Sequence, residues 1–270
     1  MKIAFQKFEG AGNDFVIIDN RTGVLRNRGR LARALCDRHR SIGGDGLLLV
    51  ERTDRAAYRM MYYNADGSDG GMCGNGGRCV AMYAYLNGIA GRSHQFEALR
   101  HIYTASVISS SRVRLWMKDP VGYRGPIRLS GKVHSFIADF IDTGSPHAVI
   151  EVRKGRLKAL DLASLGPWIR HHRAFRPFGV NVNFIERTGS NILKMRTYER
   201  GVEAETLACG TGSVACSIVS SLRQGMRSPV TVVAASGDRL RVSFNRTASG
   251  FRDVVLEGPA VRTFSGTVHV

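Results

Sequence analysis

Apolar and polar positions alternate at the start of the chain and then condense into short apolar runs, the pattern of strands joined by tight turns. Lys2 to Asp19 alternates around Phe8 and continues as Phe15-Val16-Ile17-Ile18, two strand stretches split by the turn Gly10-Ala11-Gly12-Asn13. Leu31 to His39 has the apolar spacing of an amphipathic helix with a charged outer face. Strands are expected at Gly46–Val50 and Arg59–Tyr63, the second ending in the loop Asn64-Ala65-Asp66-Gly67-Ser68. After a glycine-rich turn, Cys79 to Leu86 reads as a helix closed by Asn87-Gly88. Short strands then run to Trp116-Met117, and Asp119-Pro120 marks a domain boundary.

The second half repeats this plan. Lys194–Tyr198 is a strand, a polar loop follows, and Ser213 to Leu222 is a helix closed near Gly225. Cys73-Gly74-Asn75-Gly76 and Cys209-Gly210-Thr211-Gly212 sit at matching offsets from Tyr63 and Tyr198 before them and from Gly88 and Gly225 after them, which predicts an internal duplication. Strands outnumber helices, and both helices are apolar on nearly all faces. Each half is therefore expected to be a β-sheet or barrel around one central helix, an α+β fold. Residues 1–117 make the N-terminal half, with 258–270 returning to it, and 118–257 make the C-terminal half.

Composition narrows the class. In 270 residues the apolar fraction is 43% and the charged fraction 23%, as in ordinary globular chains. No apolar run approaches the roughly 20 residues needed to span a bilayer, and Lys2 and Lys7 interrupt the start before a secretory leader could form. A cytoplasmic protein with no membrane partner is expected. Five cysteines (Cys36, Cys73, Cys79, Cys209, Cys216) without a Cys-x-x-Cys pair do not suit a disulfide scaffold or a zinc site, so no metal is expected. The net charge of +17 comes from 39 basic residues, 32 of them arginine and 7 lysine, against 22 acidic ones, and raises a nucleic-acid-binding protein as an alternative. The arginines are dispersed without aromatic interleaving, which favours a solvated basic surface instead.

The chemistry lies in the paired cysteines. A thiol at a helix N-terminus meets free N–H donors and a partial positive charge, which favour a thiolate and also bind carboxylates. Glycines at 74, 76, 210 and 212 let a ligand approach that backbone. Two such thiols on opposite faces of one small molecule would form a base and an acid able to invert a carbon centre. One motif alone could be a buried cysteine beside a turn, and neither motif continues as a phosphate-binding Walker loop. Cys36, Cys79 and Cys216 are expected in helix cores. A pyridoxal racemase would need a Schiff-base lysine, and Lys2, Lys7, Lys118, Lys132, Lys154, Lys158 and Lys194 lack a phosphate-cradle context, so no cofactor is expected.

These residues resemble the diaminopimelate epimerase family over nearly the whole chain. The resemblance includes Gly12-Asn13-Asp14-Phe15, Tyr63 to Ser68, Cys73 to Cys79, Ser145-Pro146-His147, Tyr198-Glu199-Arg200-Gly201 and Glu205 to Gly212. It implies two pseudo-symmetric domains with the ligand in a cleft between them, a homodimer, an amino-acid substrate, and epimerisation of LL- to meso-diaminopimelate in lysine and peptidoglycan-precursor synthesis. It also implies Cys73 and Cys209 as the acid–base pair, with His147 orienting or deprotonating Cys73 and Glu199 doing so for Cys209. Gly74, Asn75, Gly210 and Thr211 would hold the reacting carboxylate, and Asn13, Asn64, Ser145, Asn181, Glu199 and Arg200 the rest of the substrate, Arg200 gripping its distal carboxylate. The plainer alternative for Arg200 is an ion pair with Glu199 or Glu205, and for His147 a satisfied structural group. Ser145 stands where many members have Asn, Gly46 where some have Gln, and the loop Val202–Glu205 is one residue longer than in many relatives. These departures keep open a racemase or epimerase of the proline, hydroxyproline or histidine type on the same scaffold.

Overall fold

A computed structural model describes residues 1–131 and 133–269. Lys132, among the lysines considered for a Schiff base, and Val270, the end of segment 258–270, lie outside the described residues. The chain divides into two compact units, Met1–Trp116 with the C-terminal segment from Glu257, and Met117–Leu256.

In the first unit, β1 (Lys2–Gly10), β2 (Asn13–Asp19), α1 (Arg28–Cys36), β3 (Gly46–Glu51), β4 (Arg59–Asn64), α2 (Gly74–Leu86), β5 (Ser93–Ala98), β6 (His101–Ser109) and β7 (Arg112–Trp116) follow in order. β1–β2 is antiparallel, β2–β3 parallel, β3–β4 antiparallel, β4–β5 parallel, and β5–β6–β7 antiparallel. β3 shows why Leu47-Leu48-Leu49-Val50 does not alternate. Leu47 and Leu49 pack with Val16, Ile18, Leu35 and Cys36 on the α1 side, while Leu48 lies under Gly76 of α2. A strand covered on both faces is apolar throughout, and each such leucine contributes roughly 1.5–3 kcal/mol of burial.

The second unit contains β8 (Val121–Ser130), β9 (Ser135–Asp142), β10 (Pro146–Glu151), α3 (Leu162–Arg170), β11 (Asn181–Gly189), β12 (Ile192–Glu199), β13 (Ala204–Thr206), α4 (Gly210–Gln224), β14 (Val230–Val233) and β15 (Arg239–Thr247). β16 (Gly250–Pro259) runs across the boundary, and β17 (Val261–His269) pairs antiparallel with β1. Here β9–β10 is antiparallel, β10–β11 parallel, β11–β12 antiparallel, β12–β14 parallel and β14–β15 antiparallel. This repeats the pairing order from β1 to β6, with α3 in the place of α1 and α4 in the place of α2. The duplication anticipated from the motif offsets is therefore a duplication of sheet topology.

α2 packs on β1, β2, β3, β4, β6 and β7, and α4 on β9, β10, β11, β12, β14 and β15. Both are buried over nearly all of their length, which accounts for their apolar faces. Two element boundaries differ from the sequence expectation. α1 begins at Arg28 and stops at Cys36, before His39, because the Asp37 carboxylate accepts the His39 and Arg40 backbone amides and draws them out of the helix. The glycine-rich segments are the first turns of α2 and α4, not turns preceding them. Close packing outweighs glycine's low helix propensity there: a Cβ on Gly77 would lie 2.9 Å from Met72 and 3.0 Å from Leu115.

Candidate active site

Cys73 and Cys209 are the N-caps of the two sheet-wrapped helices. Both have extended backbones, with φ −109° and −124°. Each sulfur accepts the backbone N–H three residues on, Gly76 at 3.5 Å and Gly212 at 3.3 Å. The other three cysteines are core thiols. Burial pushes Cys36 up to about 12 and raises Cys79 and Cys216 as well, so none of them supplies a thiolate near neutrality.

In the first unit, Asn13 opens β2 after Gly12, whose φ of 84° permits the turn. Its Oδ1 lies 3.7 Å from the Cys73 sulfur and accepts from Asn75 Nδ2 at 3.3 Å, and its Nδ2 donates to Asp45 at 2.6 Å. Asp45 shares Arg38 with Asp14. Burial would raise the Asp14 carboxyl, but hydrogen bonds and charge from Arg38 and Lys7 outweigh it and hold the group down at about 2. Asn64 ends β4 opposite Gly46, and its amide donates to Ser68 Oγ at 2.9 Å. The glycine at 46 has a steric reason: a Cβ there would meet the Tyr62 ring at 2.4 Å and the Tyr63 carbonyl at 2.7 Å. Gly70 covers the same ring from another side, its Cβ position lying 2.3 Å away. A glutamine at 46 is incompatible with this placement of Tyr62.

In the second unit, strand register sets Ser145 where Asn13 stands in the first. Phe15 is aligned with Gly46 across β2–β3, and His147 with Asn181 across β10–β11. Asn13 and Ser145 each lie two residues before those positions, and each follows a glycine with positive φ, 84° at Gly12 and 97° at Gly144. The chemistry differs. Ser145 Oγ donates to Thr211 Oγ1 at 3.2 Å, and Thr211 Oγ1 lies 3.5 Å from the Cys209 sulfur. His147 is completely buried. Its Nε2 is 3.0 Å from both Ser145 Oγ and Thr211 Oγ1, and its Nδ1 faces the Asn183 amide at 3.0 Å. The Asn183 amide nitrogen also donates to Ala148 O while its Oδ1 accepts from Thr197, so it presents a donor to the ring and the proton of neutral His147 sits on Nε2. Burial, then the charge of Arg200, pushes His147 down to about 3.

Asn181 binds the next pair of candidates together. Its Oδ1 accepts the Arg200 backbone N–H at 2.9 Å, and its Nδ2 donates to Pro146 O at 3.0 Å and Ser145 Oγ at 3.4 Å. Glu199 accepts from Thr206 Oγ1 at 2.9 Å. The ion pair weighed for Arg200 with Glu205 does not form. Glu205 sits on β13 and pairs with Arg196 on β12 at 2.6 Å, because the antiparallel register brings those side chains together. Among the described residues no carboxylate lies within ion-pairing distance of Arg200. Sequence reasoning missed Asn183, although Asn181 and Asn183 are two apart in a strand and so share one face. It also missed Thr143, whose hydroxyl donates to Thr211 O at 3.0 Å. Among the described residues no group of three side chains gathers as a metal site, and no helix is long and apolar enough to cross a membrane.

Comparison with known proteins shows what the chain is similar to. The family model described as diaminopimelate epimerase matches residues 5–110 and 140–263. A diaminopimelate epimerase from Chlorobaculum tepidum is 44% identical over 96% of this chain and 98% of that protein, and one from Aquifex aeolicus 38% over 97% and 96%. Among solved structures, a phenazine biosynthesis protein of the PhzF family from Bacillus anthracis matches at a TM-score of 0.80, covering 100% of both chains at 14% identity. A hydroxyproline epimerase from Agrobacterium vitis matches at a TM-score of 0.72, covering 99% of this chain and 92% of that one, also at 14% identity. Those two likenesses carry the two-domain α+β fold and nothing finer.

Proposed function

The chain belongs to the diaminopimelate epimerase family, a family of isomerases, and from that premise we propose that it interconverts LL- and meso-diaminopimelate by moving an α-proton between Cys73 and Cys209. The observation that carries the reading is the paired cap: two thiols, each at the first turn of a buried helix and each accepting a backbone N–H. In this reading the α-carboxylate of the reacting centre lies against the N–H groups of Gly74, Asn75, Gly210 and Thr211. Deprotonation at the α-carbon shifts charge onto that carboxylate, and the same donors strengthen as it becomes enolate-like. Losing one such donor typically costs about 2.7–4 kcal/mol of transition-state stabilisation. One sulfur acts as base on one face and the other delivers its single proton on the opposite face, so configuration inverts.

Asn13, Asn64, Ser145, Asn181, Glu199 and Arg200 take the remainder of the substrate in this proposal, with the guanidinium of Arg200 on the distal carboxylate. His147 reaches Cys209 through Thr211 within its own unit. For it to serve Cys73, Nε2 would have to leave the Ser145 and Thr211 hydroxyls. The product is then the precursor for lysine and peptidoglycan synthesis.

The test is incubation with LL-diaminopimelate in heavy water under reducing conditions, following α-carbon exchange by NMR, with proline, hydroxyproline and histidine as competing substrates. Exchange of diaminopimelate is expected. Exchange confined to another amino acid would replace the substrate and keep the mechanism. Cys73→Ala and Cys209→Ala are each expected to lower turnover by about 100-fold or more, and normal turnover in the double variant would refute the two-thiol mechanism.

A further inference from the structure

Arg78 is the one charged residue between Gly74 and Leu86, and its side chain is fully buried. Among the described residues no carboxylate forms an ion pair with it. Its guanidinium donates instead to three neutral oxygens: Gly74 O at 3.1 Å, Asn75 Oδ1 at 3.0 Å and Pro259 O at 3.2 Å. Burying a charge with no carboxylate in contact is costly even after relaxation, and an apolar side chain would fill the same space without that penalty. Packing alone therefore does not account for an arginine here.

The polarity of its contacts does. Arginine can only donate, so Asn75 turns its Oδ1 inward to Nη2 and its Nδ2 toward Asn13. At the other end Asp45 accepts from Asn13 Nδ2 and is itself held by Arg38 at 2.8 Å. Both amides are thus fixed in direction from outside, donor to acceptor, from Arg78 through Asn75 and Asn13 to Asp45. The Cys73 sulfur lies beside the middle of this relay, at the cap of the helix that carries Arg78. With the Arg78 end removed, the Asn75 oxygen loses the donor that holds it inward, and its amide can swing off the Asn13 oxygen toward the α2 N-terminus, where that oxygen would repel a carboxylate.

We propose that Arg78 is a positioning residue for the reaction, fixing the direction of the Asn75–Asn13 amide relay beside Cys73 so that Asn75 turns its N–H groups outward from the helix start. This rests on the epimerase reading above. The competing role is a staple that ties α2 to β16 through Pro259 and has no bearing on Asn75.

The experiment compares wild type, Arg78→Met, Arg78→Lys, Asn75→Ala and the Arg78→Met/Asn75→Ala double variant. Arg78→Met is expected to lower kcat/KM for LL-diaminopimelate by about 100-fold, the scale of a misplaced reacting contact, and the double variant should be no worse than Asn75→Ala. Losses that multiply would show a staple and overturn the proposal. Arg78→Lys keeps the charge but not the two-armed fork, so it should recover thermal stability without recovering kcat/KM. Wild-type kcat/KM in that variant would also overturn it. The side-chain 15N–1H pair of Asn75, identified by its absence in Asn75→Ala, should shift in Arg78→Met and Arg78→Lys, and an unchanged pair in both is a refutation. That readout needs no substrate. A wild type inert toward LL-diaminopimelate would sink the substrate reading while the Arg78 proposal is still decided by the spectrum.

Discussion

Gly76→Ala and Gly212→Ala make the same change at the same place in two matching motifs, three residues after each cap cysteine. At 76 the new methyl would meet Leu48 at 3.4 and 3.5 Å and the Cys73 Cβ at 3.6 Å, all ordinary contacts. The change removes unfolded-state freedom and adds helix propensity, so Gly76→Ala should stabilise by about 0.5–1 kcal/mol. At 212 the methyl would sit 2.5 Å from Asn183 Oδ1 and 3.2 Å from both the Cβ and the sulfur of Cys209. Asn183 would have to retreat by about 1 Å. It is pinned by Thr197 on its oxygen and by His147 and Ala148 on its nitrogen, so retreat breaks at least one buried hydrogen bond. Overpacking of about 1–3 kcal/mol and a lost buried bond of about 1–3 kcal/mol, set against the same helix gain, leave Gly212→Ala destabilised by roughly 1–5 kcal/mol. Urea unfolding followed by circular dichroism measures both variants. Equal midpoints for the two would refute the reasoning, because it depends wholly on the Asn183 contact that only one motif has.

Two further outcomes follow from the same neighbourhoods. Because burial holds His147 down at about 3 while an unfolded histidine titrates near ~6.5, the unfolded state binds the extra proton between these values. That contribution to stability is therefore full above about 6.5 and falls as pH is lowered toward about 3, by roughly 2 kcal/mol on reaching pH 5. Unfolding at pH 7.5 and 5.0 should show a shallower loss in His147→Gln, and an unchanged difference would show that His147 is not the group responsible. Gly46→Ala should destabilise by about 1–3 kcal/mol through the Tyr62 ring and the Tyr63 carbonyl, and by less in a Tyr62→Ala background. An equal penalty in both backgrounds would mean the ring does not set the glycine.

The repeated cap cysteines were legible because one local pattern, a strand, a polar loop and Cys-Gly-x-Gly before an apolar helix, occurs twice. What decided the rest was single side chains acting across strands. Glu205 reaches Arg196 and not Arg200 because β13 runs antiparallel to β12, a register that spacing along the chain does not reveal. Asp37 ends α1 early through two local hydrogen bonds. The equivalence of Asn13 and Ser145 appears only when β2–β3 and β10–β11 are compared residue by residue. That equivalence also shows what the duplication preserved. Sheet order and helix placement depend on many apolar positions and tolerate individual changes, so both halves keep them. The polar groups around each thiol depend on one residue at a time, and they have diverged: amides and a buried arginine beside Cys73, hydroxyls and a neutral histidine beside Cys209. Under the proposed inversion each sulfur is the base in one direction and the acid in the other, so unlike surroundings would set which thiol rests ionised without removing either role.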